Sequence, residues 1–223
     1  AILADLQGPK VRIRGFKEGS INLATGDSFS LDPCLGADDG DQTRVGITYP
    51  ELAQDVDVGD SLVLGDGNPL LEVRSVSDGR THCLVIIGGA LSAGKGINLK
   101  GGGLSAAALA DKDLEDLRFL GTQDIDYVAL SFVQNAADIK HARMLMALSD
   151  SRAGLIAKIE RADAVSSDEN VDELIKASDG IMVARGDLGI EIGDAALMGM
   201  QKRLIQRARE LNRTVITATQ MME

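Results

Sequence analysis

A chain of 223 residues, 44% hydrophobic and 26% charged, is long enough for one sizeable core or for one core with a small second domain. Its 34 Asp and Glu outnumber 23 Lys and Arg, and the net charge of −11 argues against nucleic acid or an anionic membrane surface as the main partner, so a phosphate site has to be built locally. Cys34 and Cys83 are too few and too far apart for a disulfide framework or a thiolate metal cage, and no apolar run approaches the roughly 20 residues that span a bilayer, which makes a cytoplasmic location the default expectation.

The chain opens on a strand-like run, Ile2 to Leu6, without an initiator Met, and closes just after another at Glu223; this pattern points to an excerpt. From about Lys10 to Gly103 short alternating runs, among them Val11-Arg12-Ile13-Arg14, Phe29-Ser30-Leu31, Ser61-Leu62-Val63-Leu64 and Cys83-Leu84-Val85-Ile86-Ile87, are separated by Gly and Asp turns, which predicts an all-β module. Asp66-Gly67 and Asp78-Gly79 are tight-turn dipeptides, and Gly101-Gly102-Gly103 reads as a hinge at its end. From Leu104 onward the pattern becomes helix, strand, helix, strand. Helical spacing at 111–118, 136–148, about 169–176 and about 195–211 alternates with strands at 126–132, 155–160, 181–184 and 214–219. Parallel strands joined by crossover helices follow, with the β-module as an insertion: residues 1–9 and 104–223 form one domain and 10–103 the other.

The strands carry polar groups at matching ends. Ile181 to Ala184 is apolar and runs straight into Arg185-Gly186-Asp187-Leu188-Gly189, read as a charged, glycine-punctuated turn. In 155–160, side chains two apart share a face, so Ile156, Lys158 and Glu160 point together; the same rule pairs Thr217 with Thr219. Ser131 to Lys158 and Glu160 to Asp187 are each 27 positions, and Asp187 to Thr219 is 32, close to one strand-plus-helix unit, so corresponding strand ends carry the chemistry. An open doubly wound sheet concentrates ligands at one switch point, whereas several consecutive polar ends favour a (β/α)-barrel, of which about five strands are visible here.

Glu160 and Asp187 as structural partners of Lys158 and Arg185 is the plain reading. Two carboxylates from neighbouring strands beside a phosphate-friendly Lys suit Mg²⁺ better, because that hard cation takes a few carboxylates and completes its shell with water and substrate oxygens. Gly186 serves a tight turn or, where a new helical turn starts, an anion site of free backbone donors, and the two roles coexist. The Thr219 hydroxyl either bonds its own backbone, or holds a substrate oxygen or relays a proton as a catalytic group. Arg12 and Lys95 bracket the inserted module; they are surface charges or groups facing the barrel mouth. His82 and His141 are isolated on peripheral elements, and Lys112 with its acidic neighbours reads as a solvated helix face.

Together these segments resemble the pyruvate kinase family along the whole chain: Asp5 with Gly8-Pro9 and Arg12, Asp66-Gly67, Lys95-Gly96-Ile97-Asn98-Leu99, Ser131-Phe132, Lys158-Ile159-Glu160, the run from Ser178 to Gly189, and Ile216-Thr217-Ala218-Thr219-Gln220-Met221. The resemblance implies an α/β fold, a partial (β/α)₈ TIM barrel interrupted after its third strand by a small all-β barrel lid domain, with a carboxyl-terminal regulatory domain outside this chain. It implies phosphoryl transfer from phosphoenolpyruvate to ADP, giving pyruvate and ATP in glycolysis. Glu160 and Asp187 would hold Mg²⁺ (or Mn²⁺), Lys158 would neutralise the phosphoryl oxygens and the enolate, the Gly186 and Asp187 amides with the Thr219 hydroxyl would hold the substrate carboxylate, and Arg12 and Lys95 would contact the nucleotide. Relatives are usually homotetramers.

Many relatives read Asp-Thr-Lys-Gly-Pro-Glu at the start of the lid and use K⁺ there; this chain reads Asp5-Leu6-Gln7-Gly8-Pro9-Lys10. A fixed ammonium at Lys10 would supply the charge of K⁺ and repel the ion, so K⁺ is expected not to be required. Gly65 stands where relatives usually have the first of two aspartates, and Gln134-Asn135 replaces a frequently basic pair. A Mg²⁺-dependent pyruvate-handling lyase or aldolase barrel is the alternative enzyme class, and a regulatory paralogue without turnover is the non-enzymatic one. The first could also use a Glu and Asp pair, but the inserted lid and Arg12 with Lys95 speak against it; the intact Lys158, Glu160, Asp187 and Thr219 speak against the second.

Overall fold

The chain enters its first sheet at β1 (Leu3–Asp5) and returns to it only after a separate β unit. The computed structural model describes residues 1–65, 67–148 and 151–219, which fall into two units: Ala1–Pro9 with Ala106–Glu223, and Lys10–Ser105. Asp66 and Gln220, both within recognised motifs, lie outside the described residues.

The Lys10–Ser105 unit holds β2 (Ser20–Leu23), β3 (Ser28–Asp32), β4 (Arg44–Gly46), the short helix α1 (Leu52–Asp55), β5 (Ser61–Leu64), β6 (Leu70–Ser77), β7 (Arg80–Ile87), β8 (Gly89–Ser92) and β9 (Ile97–Leu99). Six of these strands form one curled sheet in the order β4-β3-β7-β6-β5-β9, while β2 pairs with β8. Period-two burial drives it: on β7, Thr81, Cys83 and Val85 are buried and their neighbours lean outward. Asp78 and Gly79 join β6 to β7 with φ of 52° and 72°, the left-handed pair that a two-residue hairpin turn needs.

In the other unit, β1, β10 (Tyr127–Leu130), β11 (Gly154–Ile159), β12 (Gly180–Ala184) and β13 (Thr214–Ala218) lie side by side in chain order, all parallel. This order contains no switch point among the described residues, which is the half-barrel arrangement and not the doubly wound one. The crossovers are α2 (Asp111–Leu120), α3 (Ala136–Ala147), α4 (Asp168–Ala177), α5 (Arg185–Ile192) and α6 (Asp194–Glu210). Strand side chains such as Val128, Leu130, Leu155, Ala157, Ile181 and Val183 meet the helix residues Ile139, Ala142, Leu174, Ile175 and Leu204 in one apolar core. Local chemistry starts the helices: the Asn135 side chain accepts from the Ala137 amide at 2.9 Å, and Ser167 Oγ accepts from the Asn170 amide at 3.1 Å.

Three expectations change. Of the two readings of the segment after β12, the tight turn gives way to the helical start, which extends into α5, eight residues long, because Leu188 and Glu191 are buried one turn apart and give it a packed face. Strand alternation does not carry Thr217 to Thr219, since β13 ends at Ala218 and Thr219 takes φ 73°. The face around Lys112 is not wholly solvated either: Asp113 is 1% exposed, and its two carboxylate oxygens accept from the Gly8 amide at 3.0 Å and the Ala110 amide at 2.8 Å, which compensates the burial.

Candidate active site

Lys158 and Glu160 project from the C-terminal end of β11 toward β1 and β10. The Lys158 ammonium lies 3.1 Å from Glu160 Oε1 and 3.1 and 3.2 Å from the carboxylate oxygens of Asp5, and it donates to Ser131 Oγ at 2.8 Å. The Ser131 hydroxyl in turn donates to the Leu6 carbonyl at 2.8 Å. Three adjacent strand ends are thereby tied to one cation.

Burial pulls the Lys158 pKa down more than any other single influence, but the Glu160 and Asp5 carboxylates together outweigh it and leave the ammonium firmly charged, above the ordinary lysine value. Glu160, 3% exposed, is also raised. Burial is the largest cause and the Asp187 charge adds to it, while Lys158 and the Phe132 amide, which donates to Glu160 Oε2 at 2.8 Å, oppose it. A glutamate that stays raised beside a lysine is short of positive charge, and a hard divalent cation against the oxygens of Glu160 and Asp187 fits that need. Among the described residues no group of three or more His, Cys, Asp and Glu side chains is arranged to hold a metal, so two carboxylates would leave most of the shell to water and substrate.

The Phe132 amide is aimed by backbone geometry. Phe132 has φ 57° at the exit of β10, and Gly8, with φ 67°, packs so closely that a Cβ there would lie 2.8 Å from Phe132 Cδ2 and from Ser131 Cβ. Only glycine fits that position.

Gly186 and Asp187 lie in the first turn of α5, where backbone N–H groups have no partner within the helix and the dipole favours an anion. A Cβ on Gly186 would sit 3.6 Å from Thr219 Cγ2, so the two residues are neighbours. The Thr219 hydroxyl donates to the Ala218 carbonyl at 2.6 Å, the local bond of the plain reading, from a left-handed backbone that a β-branched residue rarely adopts. Arg185 reaches Met198 Sδ at 3.8 Å, tying α5 to α6.

In the Lys10–Ser105 unit, the structure brings Lys10, Arg12 and Lys95 together around one glycine segment. Arg12 bridges to Gly96 and its Nη1 donates to the Gly94 carbonyl at 2.8 Å, and a Cβ on Gly96 would lie 2.8 Å from Lys10 Cε. The Lys95 stem covers Gly65, whose own φ is 63°; an aspartate there would be strained and would crowd the Lys95 side chain. Of the histidines, His82 is bracketed by Ser30 and Ser77 hydroxyls at 3.0 Å each, on the sheet of this unit.

Residues 1–223 match the family described as "Pyruvate kinase, barrel domain". The chain belongs to the pyruvate kinase family. It is 52% identical to a pyruvate kinase of Haemophilus influenzae over 223 residues, all of this chain and 47% of that protein. It is likewise 52% identical to pyruvate kinase II of Salmonella typhimurium, covering 46% of it, and 41% identical to a pyruvate kinase of Mycobacterium tuberculosis, again covering 46%. The chain thus spans about half the length of the curated relatives it matches. Among the described residues no helix is long and apolar enough to cross a membrane.

In the unit that carries this site, sequence reading missed two buried carboxylates among the described residues, Asp113 and Glu191. For Glu191 the signal was present: a charge between Ile190 and Ile192 in an otherwise apolar run.

Proposed function

We propose that this pyruvate kinase chain contributes the phosphoryl-transfer centre of an enzyme that converts phosphoenolpyruvate and ADP to pyruvate and ATP, the closing chemistry of glycolysis. In that reaction the bond from phosphorus to the enol oxygen breaks, its electrons stay on the enolate, an ADP phosphate oxygen forms the new bond to phosphorus, and a proton is added at the enolate carbon. Little covalent work falls to the protein; positioning and charge neutralisation dominate.

The observation that carries this reading is the ammonium of Lys158, kept charged and fixed by Asp5, Ser131 and Glu160. So held, it is suited to neutralise the transferring phosphoryl oxygens and then the enolate oxygen. Glu160 and Asp187 are assigned to Mg²⁺ or Mn²⁺, which when bound would act as a Lewis acid on substrate oxygens. The first-turn amides at Gly186 and Asp187 and the hydroxyl of Thr219 are assigned to the substrate carboxylate, which matches the anion preference of a helix N-terminus beside a hydroxyl donor. Arg12 and Lys95 are assigned to the nucleotide phosphates. Lys10, packed beside them over Gly96, is assigned the charge that K⁺ provides in many relatives. The Lys10–Ser105 unit serves as the lid, and the working form is a cytoplasmic homotetramer.

The test is Mg²⁺-dependent formation of ATP from phosphoenolpyruvate and ADP, with the protein taken at the full length of its relatives, comparing wild type with Lys158→Met. Loss of one preorganised charge of this kind costs about 100-fold or more in kcat. Equal rates in the two proteins would remove Lys158 from the chemistry.

A further inference from the structure

Two carboxylates that share a metal must keep a fixed separation, yet Glu160 and Asp187 arise from different strand ends. Glu160 leaves β11 with the following residues Arg161 and Ala162, whereas Asp187 rides on the first turn of α5. A short helix that follows its strand with no residue between is anchored at that end, and a turn of a few degrees about its own axis would carry Asp187 out of register with Glu160. Something has to pin the helix at a second point.

Glu191 does so. It stands four residues after Asp187 and therefore projects from the same side of α5. It is 5% exposed, and its Oε2 accepts from the Ala162 amide at 2.7 Å, two residues beyond Glu160. Arg161 and Asp163 flank it in space, and Asp187 is near enough for its charge to be felt. Arg161 is itself buried and turned to Asp163 at 3.1 Å. A carboxylate in this position costs folding free energy, which a purely structural contact between α5 and the exit of β11 would avoid with an apolar side chain.

Resting on the metal assignment made above, we propose that Glu191 is a positioning residue: its carboxylate clamps α5 to the Ala162 amide and so fixes the spacing between the metal carboxylates Glu160 and Asp187. Supporting groups behind metal ligands change metal affinity by about 10–100-fold when removed, and Glu191 is expected to behave as one of them.

The experiment compares Glu191→Met, which keeps volume but has no oxygen acceptor, with Glu191→Gln, which keeps both shape and acceptor. Three readouts are taken on the protein: Mn²⁺ affinity by electron paramagnetic resonance, hydrogen exchange at the Ala162 amide, and the thermal transition. In Glu191→Met the Ala162 amide is expected to exchange faster and Mn²⁺ to bind about tenfold more weakly, with kcat falling and the KM for phosphoenolpyruvate changing less; Glu191→Gln is expected to keep wild-type Mn²⁺ affinity, kcat and Ala162 protection, the thermal transition serving only to show that each variant is folded. The proposal is overturned if Glu191→Met exposes the Ala162 amide and still binds Mn²⁺ normally, or if Glu191→Gln loses as much affinity as Glu191→Met. Should Glu191→Met fail to fold, wild-type affinity and Ala162 protection in Glu191→Gln support the clamp, and loss of either overturns it. A Glu160→Gln control separates the two levels: unchanged Mn²⁺ binding there refutes the metal assignment itself, even with the Ala162 amide still protected.

Discussion

Lys158 and Glu160 stand 3.1 Å apart, and the glutamate is nevertheless raised in pKa, because burial acts on it more strongly than its partner does. The pair is therefore worth little as a fold-stabilising bridge and much as a poised charge arrangement. Removing only the lysine leaves a buried carboxyl group without its cation. Lys158→Met is expected to destabilise the protein by roughly 3 kcal/mol, and Lys158→Met with Glu160→Gln to recover most of that, since the amide can still accept from Phe132. Chemical denaturation of the two single variants and the double variant measures the coupling; additive losses would refute it.

Asp113 makes a second expectation from hydrogen-bond inventory alone. Both of its oxygens accept from backbone amides, Gly8 and Ala110, so an asparagine can satisfy only one of them and turns an NH₂ toward the other. Asp113→Asn should then be nearly as damaging as Asp113→Ala, about 1–3 kcal/mol each. Because the Gly8 turn packs on Phe132, whose amide holds Glu160, both variants are also expected to weaken Mn²⁺ binding. A stable Asp113→Asn with normal metal affinity would show that the second acceptor is dispensable.

The contrast between Lys158 and Asp113 shows what a sequence exposes. Strand ends were legible because hydrophobic runs interrupted by charge obey a two-residue period, and Lys158 with Glu160 follow it. The length of the helix over 185–192, beyond a first turn, was hidden by its glycines, Gly186 and Gly189, which are poor helix formers; packing of Leu188 and Glu191 overrides that preference. Asp113 was hidden for a different reason. Its partner Gly8 lies 105 residues away, and a helix with acidic neighbours looks solvated until the distant amide is in place. Thr219 was assigned to a strand face by alternation, which a φ of 73° breaks.

Lys10 supplies a test of ion requirement. Its side chain packs over Gly96, where any Cβ would displace it. Phosphoryl transfer is expected to proceed equally in K⁺-free and K⁺-containing buffer. Lys10→Glu, which restores the carboxylate found in many relatives, is expected to make the rate rise with added K⁺. Strong K⁺ dependence of the wild-type protein would end this reading, as would a Lys10→Glu variant indifferent to the ion.

Glu191 gives the protein a pH dependence opposite to that of most carboxylates. Burial, the largest cause, with Asp163 and Asp187 adding repulsion, holds its pKa at about 7 against an ordinary 4.5, despite the Ala162 amide and Arg161. Below 4.5 the folded and unfolded chains both keep the proton, and the group carries no penalty. Between 4.5 and 7 the unfolded chain releases its proton while the folded chain retains it, so stability falls as pH rises; above 7 the penalty is constant, up to roughly 3 kcal/mol at about 1.4 kcal/mol per pH unit. Glu191→Gln cannot ionise. Its stability relative to wild type is therefore expected to grow from pH 5 to pH 8 in metal-free buffer, measured by urea denaturation at each pH, and a difference that stays constant across that range would show that Glu191 titrates like an exposed glutamate.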